Sequence, residues 1–248
     1  MNIPRIIHQV WLQGRDQVPE RFHEFQASWR INHPEWEYRI WDDSSITELL
    51  QTRFPWFIDT YRRYRHLVQR VDAGRYFILY QYGGFTVDVD MRSVRSLDIL
   101  LERHPDAQMI VSRLPFTSRE SKLLKPILGT DTFYTNAVVG TCRNYYVWKE
   151  LLGSLESNRR RLSFSKLLNV MSSTGPAFFS RAIGGYVDTD PNIVALHERH
   201  FESGFGFDEK RSIEDDAFAE HLQEASWHTN GLKAIFRAYF KIKNRLSK

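Results

Sequence analysis

The chain has a single cysteine, Cys142, in 248 residues. No intrachain disulfide can form, so the chain either lives in a reducing compartment or does without cross-links. No apolar run approaches the roughly eighteen residues of a membrane span. The opening, MNIPRIIHQVW, lacks the basic flank and apolar core of a secretory leader. Together these absences predict a cytoplasmic protein. Repeats, low-complexity stretches and linkers are also missing, and the length suits one main domain. Acid is missing from the C-terminus. Residues 231–248 hold Lys233, Arg237, Lys241, Lys243, Arg245 and Lys248, with no Asp or Glu. The whole chain carries +4, so residues 1–230 sum to −2. A mildly acidic body with one basic terminal element is not the charge pattern of a nucleic-acid binder.

What is abundant is aromatic: 14% of residues, seven of them Trp. Such a surplus serves either a core or a cleft that stacks on sugars and bases. The remaining pattern alternates strands and helices. IPRIIHQVW (3–11) and WEYRIWD (36–42) read as strands. Pro19 opens a helix through Trp29, and DDSSITELLQTRF begins with capping residues. An aromatic helical region, 54–84, ends at Gly83-Gly84, and a strand over 85–90 follows. After it come a helix in SLDILLERH, strands in AQMIVSR and TNAVVGT, and a helix in YYVWKELLGSLES. A turn then leads into a short helix in STGPAFFSRAIGG, before strands in GYVDTD and NIVALH. This order predicts an α/β layer fold with a mainly parallel sheet and helices on both faces.

In such folds ligands bind beyond the carboxyl ends of the strands. Asp88 and Asp90 fall there, and regular strand geometry places i and i+2 on one side. Two carboxylates so close repel each other, and Mg²⁺ or Mn²⁺ resolves the conflict, usually carrying a substrate phosphate. The plainer reading is a strand-end pair that caps a helix or meets Arg92 and Arg95. Glycosidase acids need to flank the scissile bond from opposite sides, which an i, i+2 pair does not do. A metal-held diphosphate is the best fit.

The segments IPRIIHQVW, SWRINHPEWEYRIWDD, VDAGRYFILYQYGGFTVDVD, TGP and HLQEASW occur here in one order. In that order they resemble the Och1-like glycosyltransferases with an Asp-x-Asp sugar-binding region, glycosyltransferase family 32. More distantly they are similar to the glucosyltransferase domains of clostridial toxins. The resemblance is dense over 3–95 and thinner to 228. It implies a GT-A fold over 1–230, with a Rossmann-like sheet. It also implies a retaining, metal-dependent transfer of a hexose from a UDP- or GDP-sugar to a glycan or lipid-linked acceptor, as in surface polysaccharide synthesis. The alternatives are a non-catalytic nucleotide-sugar or carbohydrate binder, and a toxin-like enzyme that glycosylates protein.

Carried over by residue, the resemblance places Asp72, Arg75, Asp88 and Asp90 in catalysis, with Asp90, Asp88 and His221 at the Mn²⁺ or Mg²⁺. Donor contacts fall to His8, Gln9, Val10, Trp11, Asp72, Arg75, Asp88, Asn136, Ser226 and Trp227. Several have a plainer reading. Trp11 is either core or a base platform. Asp72 and Arg75, at i and i+3, suit a mutual helix pair. His221 is a surface histidine or a ligand, and Asn136 a strand-start residue or a sugar contact. On residue type alone His8 and His66 read as structural, and Trp29, Trp36, Trp41 and Trp56 as core. The sequence departs from the family in DAGR, where Gly74 weakens a helix, and in Thr86, where an aromatic often stands. In 231–248, Leu232, Ile235, Phe236, Tyr239 and Phe240 form one helical stripe amid the six cations. This helix is expected either to touch an anionic membrane, at its inner face, or to dock on the domain.

Overall fold

A computed structural model describes residues 2–114, 125, 129–130, 132–158, 166–202 and 215–222. The predicted helix 231–248, Ser226 and Trp227 lie outside the described residues. Eight strands are described: β1 (Ile6–Val10), β2 (Glu37–Trp41), β3 (Gly84–Val87), β4 (Met91–Ser93), β5 (Met109–Leu114), β6 (Phe133–Thr141), β7 (Ile193–His197) and β8 (Ala219–His221). The helices are α1 (His23–Asn32), α2 (Asp43–Arg53), α3 (Ile58–Arg62), α4 (Leu67–Tyr82), α5 (Asp98–Arg103), α6 (Val147–Asn158), α7 (Lys166–Ser173) and α8 (Pro176–Val187).

Six strands form one sheet in the order β2-β1-β3-β6-β5-β7. Only β6 is antiparallel to its neighbours, so the other five point one way. Their carboxyl ends share one edge, and the reversed β6 begins at that edge. Each face of the sheet carries a core. One packs Val10, Val111 and Val139 against α2, α3, α4, α6 and α8. The other packs Ile7, Phe85, Ile110 and Val138 against Trp29, Trp36, Leu97 and Leu100. Among the described residues no helix is long and apolar enough to cross a membrane.

Local chemistry sets the boundaries. The Asp42 carboxylate accepts from the Ser45 N–H at 2.8 Å, and the Ser45 hydroxyl accepts from the Asp42 N–H at 2.9 Å. This capping box starts α2. At the end of α4, Gly83 has φ +66 and Gly84 φ +86, and a Cβ on Gly84 would lie 2.5 Å from the Ile6 carbonyl. Only glycine lets the chain leave α4 and enter β3 that close to β1.

Four expectations are corrected. The strand over 85–90 ends at Val87, and Asp88 to Asp90 form a turn closed by the Met91 N–H donating to the Asp88 carbonyl at 3.2 Å. The region 54–84 divides into α3 and α4. GYVDTD is not a strand, because α8 runs through Gly184 and Gly185 to Val187. Trp56 is 48% exposed rather than core, while Trp29, Trp36 and Trp41 are buried.

Candidate active site

The turn after β3 is fixed from several sides. The Asp88 N–H donates to the Ala137 carbonyl of β6 at 3.0 Å. The Gln9 amide donates to the Asp88 carbonyl at 3.2 Å, and its own oxygen accepts from the Tyr38 hydroxyl. Val89 packs with Trp11 against Val18, Phe22 and Phe25. The chain then enters β4, which α1 holds: the Trp29 indole donates to the Met91 carbonyl at 2.8 Å, and Ser28 accepts from the Ser93 N–H at 2.9 Å. β4 pairs with β8 so that Met91 faces His221. As a result Asp88, Asp90 and His221 converge, each offering one ligand atom, all within 4.8 Å of one another. The Asp88–Asp90 pairing expected from strand alternation is therefore made by a turn, and a second, two-stranded sheet brings in His221.

Behind the pair lies a buried polar layer on α4. Arg75 donates to the Asp88 carboxylate at 2.5 Å and to the Asn136 carbonyl. Asp72 accepts from the Asn136 amide at 3.0 Å and from the Thr174 hydroxyl at 3.2 Å. The ion pair of Arg75 is thus with Asp88, and the i, i+3 pairing with Asp72 gives way to two separate sets of contacts. Asp72 and Arg75 are only 5% and 6% exposed. Burial pushes the Asp72 carboxyl up to about 6, with Arg75 opposing and Asp88 reinforcing the rise. Burial also raises Asp88; Arg75 counters it and Asp90 adds to it. Burial alone would lower His221, but Glu202 and Asp90 outweigh it and hold the imidazole well above its ordinary value.

The remaining sequence-derived residues divide in two. Asn136 joins the layer just described. His8 is fully buried, its Nδ1 accepting from the Trp41 indole at 3.0 Å and its Nε2 donating to the Gly83 carbonyl at 2.9 Å. Burial holds it near a pKa of 4, so it stays neutral and braces β1 against the end of α4. Val10 lies in the core. Trp11 is half-buried, edge-on to Phe22, with its indole donating to the Gln17 carbonyl at 3.0 Å. Two residues were not read from sequence. Thr174 stood inside TGP without a role, and its hydroxyl meets Asp72. Glu202, in a polar Gly-rich stretch with no motif around it, accepts from His221 Nδ1 at 2.5 Å.

Residues 19–111 match the family described as glycosyltransferase sugar-binding region containing DXD motif. That stretch is a DXD glycosyltransferase region. The Asp88-Val89-Asp90 turn lies inside it, whereas Trp11, Asn136 and His221 lie outside. The chain is 34% identical over 237 residues to inositol phosphoceramide mannosyltransferase 3 of Schizosaccharomyces pombe, covering 94% of this chain and 58% of that one. It is 32% identical over 178 residues to a mannosyl phosphorylinositol ceramide synthase of Saccharomyces cerevisiae, covering 72% of this chain and 41% of that one. The chain thus spans about half the length of these relatives. Among solved structures, the UDP-bound glycosyltransferase domain of the YGT toxin superposes with a TM-score of 0.52 at 9% identity, covering 78% and 79% of the two chains. At that identity the likeness shows the fold alone, and it agrees with the α/β architecture expected from the sequence.

Proposed function

We propose that this protein transfers mannose from a nucleoside-diphosphate sugar to a glycolipid acceptor of the inositol phosphoceramide kind, with retention of configuration and with a divalent cation. The observation that carries the reading is the meeting of Asp88, Asp90 and His221 within 4.8 Å at the strand-end edge. Two carboxylates and one imidazole are a donor set that suits Mn²⁺ better than Mg²⁺, because imidazole is softer than oxygen. A cation held there supplies charge neutralisation to the departing diphosphate. The names of the mannosyl-lipid relatives favour mannose and a phosphosphingolipid headgroup over other hexoses and glycans.

The chain's own groups do the positioning. Arg75 anchors the Asp88 carboxylate and, through Asn136, ties α4 to β6. Asp72 keeps lone pairs beyond those used by Asn136 and Thr174 and presents them to donor-sugar hydroxyls. Trp11, beyond the end of β1 and beside Val89, offers an aromatic face to the base. Retention follows from front-face attack, with the leaving phosphate taking the acceptor's proton. The rim near the start of α4 carries exposed Arg62 and Arg65 and a Leu67 that is 56% exposed. Burial, then Lys166 and Arg65, lowers the neighbouring His66, a sign that these cations gather there. Such a rim suits an acidic headgroup.

The test is an incubation with labelled GDP-mannose, UDP-glucose or UDP-galactose and vesicles containing inositol phosphoceramide, with Mn²⁺ or with EDTA. A mannosylated lipid formed only with Mn²⁺ is expected. Donor binding with neither transfer nor hydrolysis would instead make the protein a non-catalytic binder. Residues 231–248 extend the lipid reading. Deleting 232–248 is expected to abolish sedimentation with anionic vesicles while donor hydrolysis persists, each cation contributing up to ~1 kcal/mol at the surface. Equal sedimentation with and without those residues would remove this basic segment from the lipid contact.

A further inference from the structure

We propose that Glu202 is a positioning residue for the cation site, fixing which nitrogen of His221 faces Asp88 and Asp90. The inference rests on the cation reading above. An imidazole that holds a cation does so in its neutral form, with one nitrogen a donor and the other an acceptor, and only the acceptor can hold the ion. Which one faces the site is set by the bond the other makes. Here Nδ1 donates to the Glu202 carboxylate at 2.5 Å, and Nε2 lies 3.4 Å from the Asp90 carboxylate. With Nδ1–H committed to Glu202, Nε2 is the nitrogen left for a ligand. A carboxylate behind a ligating histidine both orients the ring and raises its basicity.

Glu202 reaches this place by a separate route from His221. After β7 the chain makes a 3-10 turn over Glu198–His200, and the Glu202 N–H donates to the Glu198 carbonyl at 2.7 Å. Phe201 is fully buried and packs on Phe218 with ring centres 6.1 Å apart. The Phe218 N–H donates to the His200 carbonyl at 2.7 Å, which locks the two segments together. Three residues beyond Phe218, His221 sits on β8, paired with the β4 residue that follows Asp90.

A role in folding alone explains Glu202 poorly. It is only 8% exposed, and one of its oxygens, Oε1, has no hydrogen-bond partner among the described residues. A buried carboxylate with an idle oxygen costs stability unless the charge serves something. The Glu202 carboxylate lies behind a histidine that meets the Asp88–Asp90 pair.

The test uses the full chain and Mn²⁺ alone, without donor, with affinity read by paramagnetic resonance of the free ion. Glu202→Ala is expected to weaken Mn²⁺ about 10–100-fold. Glu202→Gln, which keeps an acceptor oxygen in the same place, is expected to lose less and to melt like the wild type. His221→Ala is also expected to weaken Mn²⁺. In that background Glu202→Ala should add no further loss, a coupling that a purely structural role would not produce. Wild-type affinity in Glu202→Ala would overturn this proposal and leave the cation reading standing. So would an equal loss with and without His221. No Mn²⁺ binding by the wild type would overturn both.

Discussion

Asp90→Asn is expected to fold as the wild type does and to lose transfer by at least ~100-fold, the scale seen when one charge-stabilising group is removed from an active site. The fold should survive because the neighbouring strands hold Asp90 by its backbone: the Leu222 N–H donates to its carbonyl at 3.1 Å. Its carboxylate points instead toward the group shared with Asp88 and His221. Asparagine keeps the shape and removes the charge. The loss should therefore fall on turnover and Mn²⁺ affinity together, and Asp88 cannot compensate, because Arg75 already claims one of its oxygens at 2.5 Å. The measurements are steady-state transfer, Mn²⁺ titration and a thermal melt. Full activity in Asp90→Asn, or undiminished wild-type activity in excess EDTA, would defeat the metal reading.

The sequence exposes the parts of this molecule whose causes are local. Strands β1 and β2 are short β-branched and aromatic runs, α2 announces itself by Asp42 and Ser45, and Gly83-Gly84 marks the passage from α4 to β3. Local rules fail where packing decides. Gly184-Gly185 reads as a helix end, yet α8 continues because Phe178, Phe179 and Ile183 on its other face are buried and the two glycines meet nothing within 4 Å. The site shows the same division. Asp88 and Asp90 stand out because two carboxylates after an apolar strand are chemically odd. Their meeting with His221 depends on the β4–β8 pairing across 130 residues of sequence, from Met91 to His221. That pairing leaves no local trace, and neither does Glu202, whose significance exists only once Phe201 and Phe218 are packed. The resemblance supplied His221 where periodicity could not.

Asp72→Asn is expected to make the protein more stable at neutral pH and nearly inactive. The Asp72 carboxyl is raised from 3.8 to about 6, first by burial and then by Asp88, despite the opposing charge of Arg75. For a group whose folded pKa exceeds its unfolded value, the protonated form is favoured by folding. Its contribution is complete below about pH 4 and is lost as pH rises through about 6. A shift of this size corresponds to roughly 3 kcal/mol at neutral pH, at 1.36 kcal/mol per unit. Asparagine imitates the protonated acid: its carbonyl can accept from Asn136, and the Thr174 hydroxyl can turn to accept from its amide. In metal-free buffer the urea midpoints of wild type and variant should therefore coincide at pH 4 and separate by pH 7.5, with the variant higher. Transfer should fall about 100-fold, because a displaced or unheld sugar loses its approach geometry. A destabilised variant at pH 7.5 would mean that the charge of Asp72 is net favourable beside Arg75. A stable variant with wild-type turnover would take Asp72 out of donor positioning and leave it a brace between Asn136 and Thr174. The expected pattern, stability gained as activity is lost, is what a buried charge kept for its substrate produces.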